Sequence, residues 1–281
     1  MSPIFIERAK NKFLPSNSRY AIIPAMTQSK KPPSRAYKLK RADARNRVQN
    51  ALLLAGSTMF VSYPWFYYQY KHMTLEIFSR APTGHQLIVF AMGQSLILFA
   101  AALICSLVGF LYYDRLGLVG FGKLSDLRAW LPWALVLGIL ITPLLYYLAD
   151  RRLMSLIPEA FPRPWPWALA WMAGSALSQE VVARFGLLSI GVYLLRWRSF
   201  KGHPWPAIAA VSVFSAFSAV IFLDRINFSA RLELWQIGVL TLTIFAFQWI
   251  LCEVYLRKGL LAALALHLGL SARLLIYSFL R

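Results

Sequence analysis

Acidic residues, cysteine and histidine are all scarce in this sequence. Its 281 residues include 11 Asp and Glu against 30 Lys and Arg, with two Cys and four His. Cys105 and Cys252 stand apart inside apolar runs, which gives no disulfide framework and no cysteine metal spacing and favours packing roles. No HExxH pattern occurs, so we expect no dedicated metal or cofactor site, although a catalytic metal stays open.

Repeats and a signal segment are also missing. No self-similar period stands out, which argues against solenoids and repeat-built transporters. No apolar segment follows the first basic residues, so a secretory signal is not predicted; an Arg-rich organelle presequence and a start at Met26 stay alternatives. The basic residues crowd into the N-terminal tail and short loops, which argues against a nucleic-acid partner.

Apolar residues, in contrast, dominate the chain. It is 58% hydrophobic and 15% aromatic, with a mean hydropathy of +0.53, values typical of a polytopic membrane protein in contact with lipid. Trp and Tyr cluster at the ends of the apolar segments, as in "YPWFYYQY" and "PWPW". We predict an all-α membrane bundle of about seven transmembrane helices, at about 50–70, 86–113, 130–149, 166–195, 205–223, 235–256 and 259–280.

The first 49 residues form a separate segment. They carry twelve basic residues against Glu7 and Asp43, with too few apolar residues to fold alone. We predict a disordered basic tail at 1–49, N-terminal transmembrane helices at 50–109 and a membrane core at 110–281. The positive-inside rule predicts that the tail lies in the cytoplasm. We expect the protein to be located in a bacterial plasma membrane. Binding of anionic lipid or a partner is an alternative role for its charges.

Two opposite charges lie about halfway along the apolar segment 166–195, in "SALSQEVVARFGLL". An unpaired carboxylate is costly in hydrocarbon, so Glu180 should be paired, protonated or directed into a polar cavity. Arg184 follows it by four residues, a spacing that places both side chains on one helix face. The pair is consistent with mutual neutralisation that fixes helix packing, or with a functional site.

His267, in "LLAALALHLGLS", is the second polar feature expected deep in the membrane, after the pair of Glu180 and Arg184. It lies roughly 13 Å into the last predicted span, whereas Glu180 lies roughly 24 Å from the cytoplasmic end of its own span. A kink or a water-filled inlet would bring the two groups to one depth. Taken alone, such a histidine is equally consistent with a satisfied core residue.

Three stretches of the sequence together resemble the motifs of a known family of membrane proteins. "DRLGLVGFGKLSDLRAWLPWALVLGIL" leads into a span, "SQEVVARFGLL" contains Glu180 and Arg184, and "YLRKGLLAALALHLGLS" combines a turn with a helix bearing His267. In order and spacing they resemble the CPBP family, the CAAX prenyl endopeptidase and bacteriocin-processing group of membrane proteins. The resemblance covers roughly residues 110–281, and it implies a CAAX-protease-like helical core.

The resemblance is incomplete at the polar positions of the family. Gln179 stands where the first Glu of the Glu-Glu-x-x-x-Arg signature belongs, and Ser271 replaces the final Asn or Asp. The middle motif, Phe-x-x-x-His, aligns with "FSAFS", which has Phe214 but Ser218 in place of histidine. Only part of the family's constellation is therefore retained.

The resemblance implies a CAAX-type intramembrane endopeptidase that cleaves a membrane peptide or protein with a glutamate-activated water. Glu180 would be the base, His267 a donor or acid and Arg184 its charged partner, with Gln179, Ser218 and Ser271 as weaker polar groups. The alternative is an inactive relative, because a glutamate tied to Arg184 is less basic and Gln179 is no base. Such a protein would bind a membrane peptide or partner without cleaving it.

A transporter is the third class considered. Glu180, Arg184 and His267 could relay a proton or a substrate, since intramembrane ionisable groups often do so. No ring or chain of further charges extends such a path in the sequence. The sequence therefore favours an endopeptidase or an inactive, peptide-binding relative over a transporter.

Overall fold

A computed structural model describes residues 34–77, 83–116, 118–156, 164–197, 204–224 and 233–280. Within these ranges the chain is almost entirely helical and contains no strand. The chain divides into two units, Met1–Asp43 and Ala44–Arg281. Of the first unit, only residues 34–43, at the start of the first helix, are described. Most of the predicted basic tail therefore lies outside the described residues.

The helices follow one another with short connections. Two of them contain segments of wider π-helix, in which backbone hydrogen bonds run from residue i+5 to residue i. The elements are α1 Ser34–Ile77, α2 Gly84–Leu116, α3 Leu124–Leu145, π1 Tyr146–Asp150, α4 Arg151–Leu156, α5 Trp165–Gln179, π2 Glu180–Leu188, α6 Ser189–Trp197, α7 Trp205–Asp224, α8 Leu234–Lys258, α9 Leu260–Ser271 and α10 Arg273–Leu280.

Five helical segments of the described chain are long and apolar enough to cross a membrane. They are Gly84–Tyr113, Leu124–Leu145, Trp165–Leu195, Ile237–Lys258 and Leu260–Phe279. Large apolar side chains cover their outer surfaces, with Leu140 70% and Leu242 67% exposed, as expected for contact with lipid. The protein is therefore an integral membrane protein with an all-helical membrane domain.

The other two predicted spans lie in helices as well. The segment 50–70 belongs to α1, which begins at Ser34, inside the predicted tail. The segment 205–223 belongs to α7, whose apolar part, Trp205–Ser218, is shorter than the five spans. The count of seven spans stays a prediction.

Proline residues accompany two changes in backbone geometry. Pro164 has an extended conformation, with φ −73° and ψ 130°, immediately before α5, as expected for an entry turn ahead of this span. Pro143 lies inside α3, and the π-helical hydrogen bonds of π1 begin three residues later.

Small residues let α3 pack closely against α9, and α2 pack closely against π2. A side chain at Gly138 of α3 would overlap the carbonyl oxygen of Gly269 in α9. A side chain at Gly186 of π2 would overlap Cys105 of α2, and Phe110 packs edge-on against Phe185 with ring centroids 4.9 Å apart. Close backbone approach of this kind is typical of helix pairs in membranes.

A glycine-rich turn fixes the start of α9. Gly120 and Gly122 have φ of 68° and 79°, and Gly259, the residue before α9, has φ 91°, a region that glycine adopts without strain. The Gly120 carbonyl accepts a 2.9 Å hydrogen bond from the Leu260 amide, one of the amides that a helix start leaves unpaired. The turn thereby orients the helix that carries His267.

Candidate functional site

The structure brings Glu180, Arg184 and His267 into one buried cluster. Glu180 Oε1 lies 2.8 Å from His267 Nδ1 and 3.3 Å from Arg184 Nη1. Glu180 and Arg184 are fully buried, and His267 is 5% exposed. A carboxylate beside a guanidinium accepts hydrogen bonds, so His267 Nδ1 is the donor and Nε2 is the remaining ring nitrogen. Ionisable side chains that the sequence places in two different spans thus meet in one buried cluster.

The π-helical geometry of π2 contributes both charged members of this cluster. Glu180 is the first residue of π2 and Arg184 its fifth, in a segment in which seven of the nine residues are buried. Segments of π-helix inside α-helices are rare and frequently occur at functional sites. Phe247 supports the third member, since its ring meets the His267 imidazole edge-on with centroids 5.5 Å apart.

Gln248 of α8 belongs to the cluster and is absent from the sequence-based set. Its Oε1 accepts a hydrogen bond from Arg184 Nη2, and its Nε2 donates across 3.4 Å to Gln179 Oε1. The Gln248 side chain is 5% exposed, whereas Gln179 lies at the surface. A carboxamide in the middle of the apolar "FAFQWILCE" stretch is the signal that could have identified it.

One face of α8 continues from Gln248 toward the C-terminus of that helix. Cys252 and Tyr255 follow by four and seven residues, spacings that share a helix face, and both are fully buried. The Tyr255 hydroxyl shares a 2.9 Å hydrogen bond with Ser189, the first residue of α6. Cys252 lies in the main hydrophobic cluster, in agreement with the packing role expected for it.

Two buried atoms of the cluster lack hydrogen-bond partners among the described residues. They are Glu180 Oε2, an acceptor, and Arg184 Nε, a donor. Buried polar groups are normally paired, so unpaired ones at a charged site indicate a place for water or a ligand. Glu180 therefore has one oxygen held by two donors and a second, buried oxygen with no hydrogen-bond partner among the described residues.

The two predicted supporting serines take other positions. Ser218 is exposed on α7, where its hydroxyl donates a 2.8 Å hydrogen bond to the Phe214 carbonyl of its own helix. Ser271 ends α9 half-buried, and no hydrogen bond joins it to the cluster within the described part of the chain. The described residues thus bring Gln179, rather than either serine, into contact with the charged cluster.

Glu180 and His267 are potential metal ligands that meet at the site, but the described residues add no third ligand to them. Among the described residues, no three His, Cys, Asp or Glu side chains lie close enough together to hold a metal ion. His85 is exposed at the start of α2, while the side chains of His72 and His203 lie outside the described set.

A second buried ionic group lies at the end of π1, one residue beyond the predicted span 130–149. Asp150 is 3% exposed, and its Oδ2 accepts 2.9 Å hydrogen bonds from Arg273 Nε and from the Tyr277 hydroxyl. The Tyr277 hydroxyl also lies 3.5 Å from the Thr142 carbonyl oxygen. These contacts join the end of α3 to α10.

Removing the Tyr277 hydroxyl is expected to weaken this connection. Tyr277→Phe deletes a buried hydrogen bond to a carboxylate, so the free energy of unfolding should fall by about 1.5–3 kcal/mol. Thermal unfolding of the purified protein in detergent measures the loss. Tyr147→Phe is the matched control, because Tyr147 is 75% exposed and should change stability by less than about 0.5 kcal/mol. Equal losses of stability in the two variants would contradict a stabilising hydrogen bond between Tyr277 and Asp150.

The described chain is thus an integral membrane protein with two buried ionic clusters. The first, at Glu180, combines an acid, a guanidinium, an imidazole and two carboxamides from π2, α9, α8 and the end of α5. The second, at Asp150, includes the hydrogen bonds from Arg273 and Tyr277, which join π1 to α10. The sequence matches no family model, and searches of curated proteins and of solved structures also give no match.

Proposed function

We propose that the protein is an intramembrane endopeptidase of the CAAX-protease type, with a core like that of the CPBP family. The observation that carries the proposal is the state of Glu180, whose Oε1 is held by His267 and Arg184 while its Oε2 has no partner among the described residues. A fixed carboxylate with one available oxygen has the geometry of a general base.

The proposed reaction is hydrolysis of a peptide bond. Glu180 Oε2 takes a proton from water as the water oxygen bonds to the substrate carbonyl carbon. The Arg184 Nε–H, unpaired in the described structure, donates to the developing oxyanion. The C–N bond then breaks, and the proton held by Glu180 passes to the leaving nitrogen. His267 keeps the carboxylate oriented during both steps.

A second candidate is an inactive relative that binds a membrane peptide without cleaving it. The 3.3 Å ion pair favours it, because two buried opposite charges that compensate each other have a structural role without any catalysis. Gln179 in the place of the family's first glutamate favours it as well. Binding without turnover separates this candidate from the enzyme.

The test is proteolysis of membrane peptides by the purified protein and by Glu180 variants. Glu180→Gln should lower the cleavage rate by about a hundredfold or more, as expected for loss of a general base. Glu180→Asp keeps the negative charge beside Arg184 and should also slow cleavage, because the shorter side chain withdraws the base. Glu253→Gln removes a carboxylate elsewhere on the membrane domain and should leave the rate unchanged.

Each outcome of this test selects one function. Equal cleavage by unsubstituted protein and by a folded Glu180 variant would refute the enzyme mechanism. Peptide binding without any turnover by the unsubstituted protein would support the inactive relative. Movement of protons or solutes across liposomes containing the protein would support a transporter instead.

A further inference from the structure

Gln179 places an exposed carboxamide in the middle of a membrane span. It lies 14 residues after Trp165 and 16 residues before Leu195, the two ends of that span. Its neighbours in the chain, Ser178 and Glu180, are buried, whereas Gln179 itself is at the surface of the described bundle. At this depth a polar side chain turned toward lipid would have no hydrogen-bonding partner.

The hydrogen bonds of Gln179 leave its donors available. Its Oε1 accepts one long hydrogen bond, 3.4 Å, from Gln248 Nε2. Its backbone carbonyl accepts a 3.4 Å hydrogen bond from Arg184 Nη1. Within the described residues its Nε2 has no partner, so two N–H groups lie at the edge of the buried cluster. These groups require water or a ligand.

The chemistry at this edge suits an uncharged ligand. Glu180 balances the charge of Arg184 behind Gln179, and the exposed group is a neutral carboxamide. A carboxamide pairs with a peptide group in both directions, since its N–H donates to a peptide carbonyl and its oxygen accepts from a peptide N–H. Gln248, which is held by Arg184, fixes the Gln179 side chain at this edge.

We propose that Gln179 is an amide-recognition group through which an extended, apolar peptide reaches the polar cluster. Its Nε2 donates to a backbone carbonyl of the peptide, and the second lone pair of Oε1 accepts from a backbone N–H. Gln248 is a positioning residue that acts through Gln179. The identity of the ligand as a peptide rests on the proposed function, whereas access to Gln179 from water does not.

Access is tested by labelling a cysteine placed at this position. Gln179→Cys in lipid nanodiscs is treated with a charged, membrane-impermeant thiosulfonate, and Leu140→Cys is the lipid-facing control, since Leu140 is 70% exposed. The unsubstituted protein gives the background from its two native cysteines. Labelling at 179 should be on the order of tenfold faster than at 140, because the reactive thiolate forms only in contact with water.

Recognition is tested with a fluorescent apolar peptide and with the same peptide N-methylated at one central amide. Gln179→Leu and Gln248→Leu should each weaken binding of the unmodified peptide about tenfold, as expected for a lost buried hydrogen bond. Gln94→Leu, the same substitution on α2, should leave binding unchanged. The unsubstituted protein should distinguish the two peptides, and Gln179→Leu should bind them alike, a change that mere loss of structure would not produce.

The outcomes separate this inference from hydrolysis itself. Fast labelling and selective binding without cleavage would support amide recognition and refute the enzyme. Labelling at 179 as slow as at 140, or undiminished peptide binding by Gln179→Leu, would overturn amide recognition, even where cleavage still depends on Glu180. Fast labelling with no binding of either peptide would overturn the peptide as ligand.

Discussion

Arg184→Leu is expected to lower the free energy of unfolding by about 3–5 kcal/mol, the usual effect of removing one member of a buried ion pair. The guanidinium is fully buried and contacts Glu180, the Gln179 carbonyl and Gln248. Its loss leaves the Glu180 carboxylate buried without a counter-charge. Thermal unfolding in detergent, followed by intrinsic tryptophan fluorescence, provides the measurement.

A double-mutant cycle makes this prediction specific to the pair. Glu180→Gln alone should also destabilise, because it leaves Arg184 uncompensated, while the combined Glu180→Gln and Arg184→Leu protein should be more stable than the sum of the single losses predicts. Arg257→Leu is the control, since Arg257 forms a 3.2 Å pair with Glu253 but its side chain is 72% exposed. It should cost at most about 1 kcal/mol. Additive losses at 180 and 184 would mean that the two charges do not interact.

Gly138→Ala is expected to lower the free energy of unfolding by about 1–3 kcal/mol. The loss should lie at the upper end of that range, because the added methyl group meets backbone atoms and not a flexible side chain that could move aside. The added methyl group would overlap the backbone carbonyl of Gly269, and Gly269 in turn lies against the Ala134 backbone. Helices α3 and α9 would have to separate. Because α9 carries His267, the variant should also weaken peptide cleavage or binding together with stability.

Gly93→Ala is the matched control for the close packing of α3 on α9. Gly93 lies in α2 with no atom within 4 Å of an added methyl group. The substitution should be neutral or stabilising by up to about 1 kcal/mol, because alanine favours helix over glycine. Unfolding midpoints of both variants decide the point, and a Gly138 variant as stable as the Gly93 variant would show that the two helices do not pack this closely.

The charged residues at the centre of the site can be predicted from the sequence, because they depend on a local spacing and on one unusual histidine. The spacing of Glu180 and Arg184 predicts a shared helix face, and the structure shows a 3.3 Å ion pair. His267 was the only histidine expected deep in a span, and it contacts the same carboxylate oxygen. The all-helical membrane architecture followed from composition and apolar runs alone, and it is confirmed for the described residues.

Other parts of the site depend on tertiary contacts that periodicity does not encode. Gln248 joins the cluster because α8 packs beside π2, which no local pattern specifies. Asp150 reads as a span-end residue in the sequence, but π1 turns it inward to Arg273 and Tyr277. The alignment with the family's middle motif predicts Ser218 near the site, whereas its hydroxyl bonds to its own helix at an exposed position.

The spacing of the cluster along the chain has a consequence for synthesis. Arg184 follows Glu180 by four residues, whereas Gln248 follows Arg184 by 64 and His267 follows Glu180 by 87. At translation rates of about 5–20 residues per second, the carboxylate waits roughly 4–17 s for its imidazole. During that interval Arg184 is its only nearby counter-charge among the described contacts, so the local pair lets the span enter the bilayer as a neutral unit before its distant partners emerge from the ribosome.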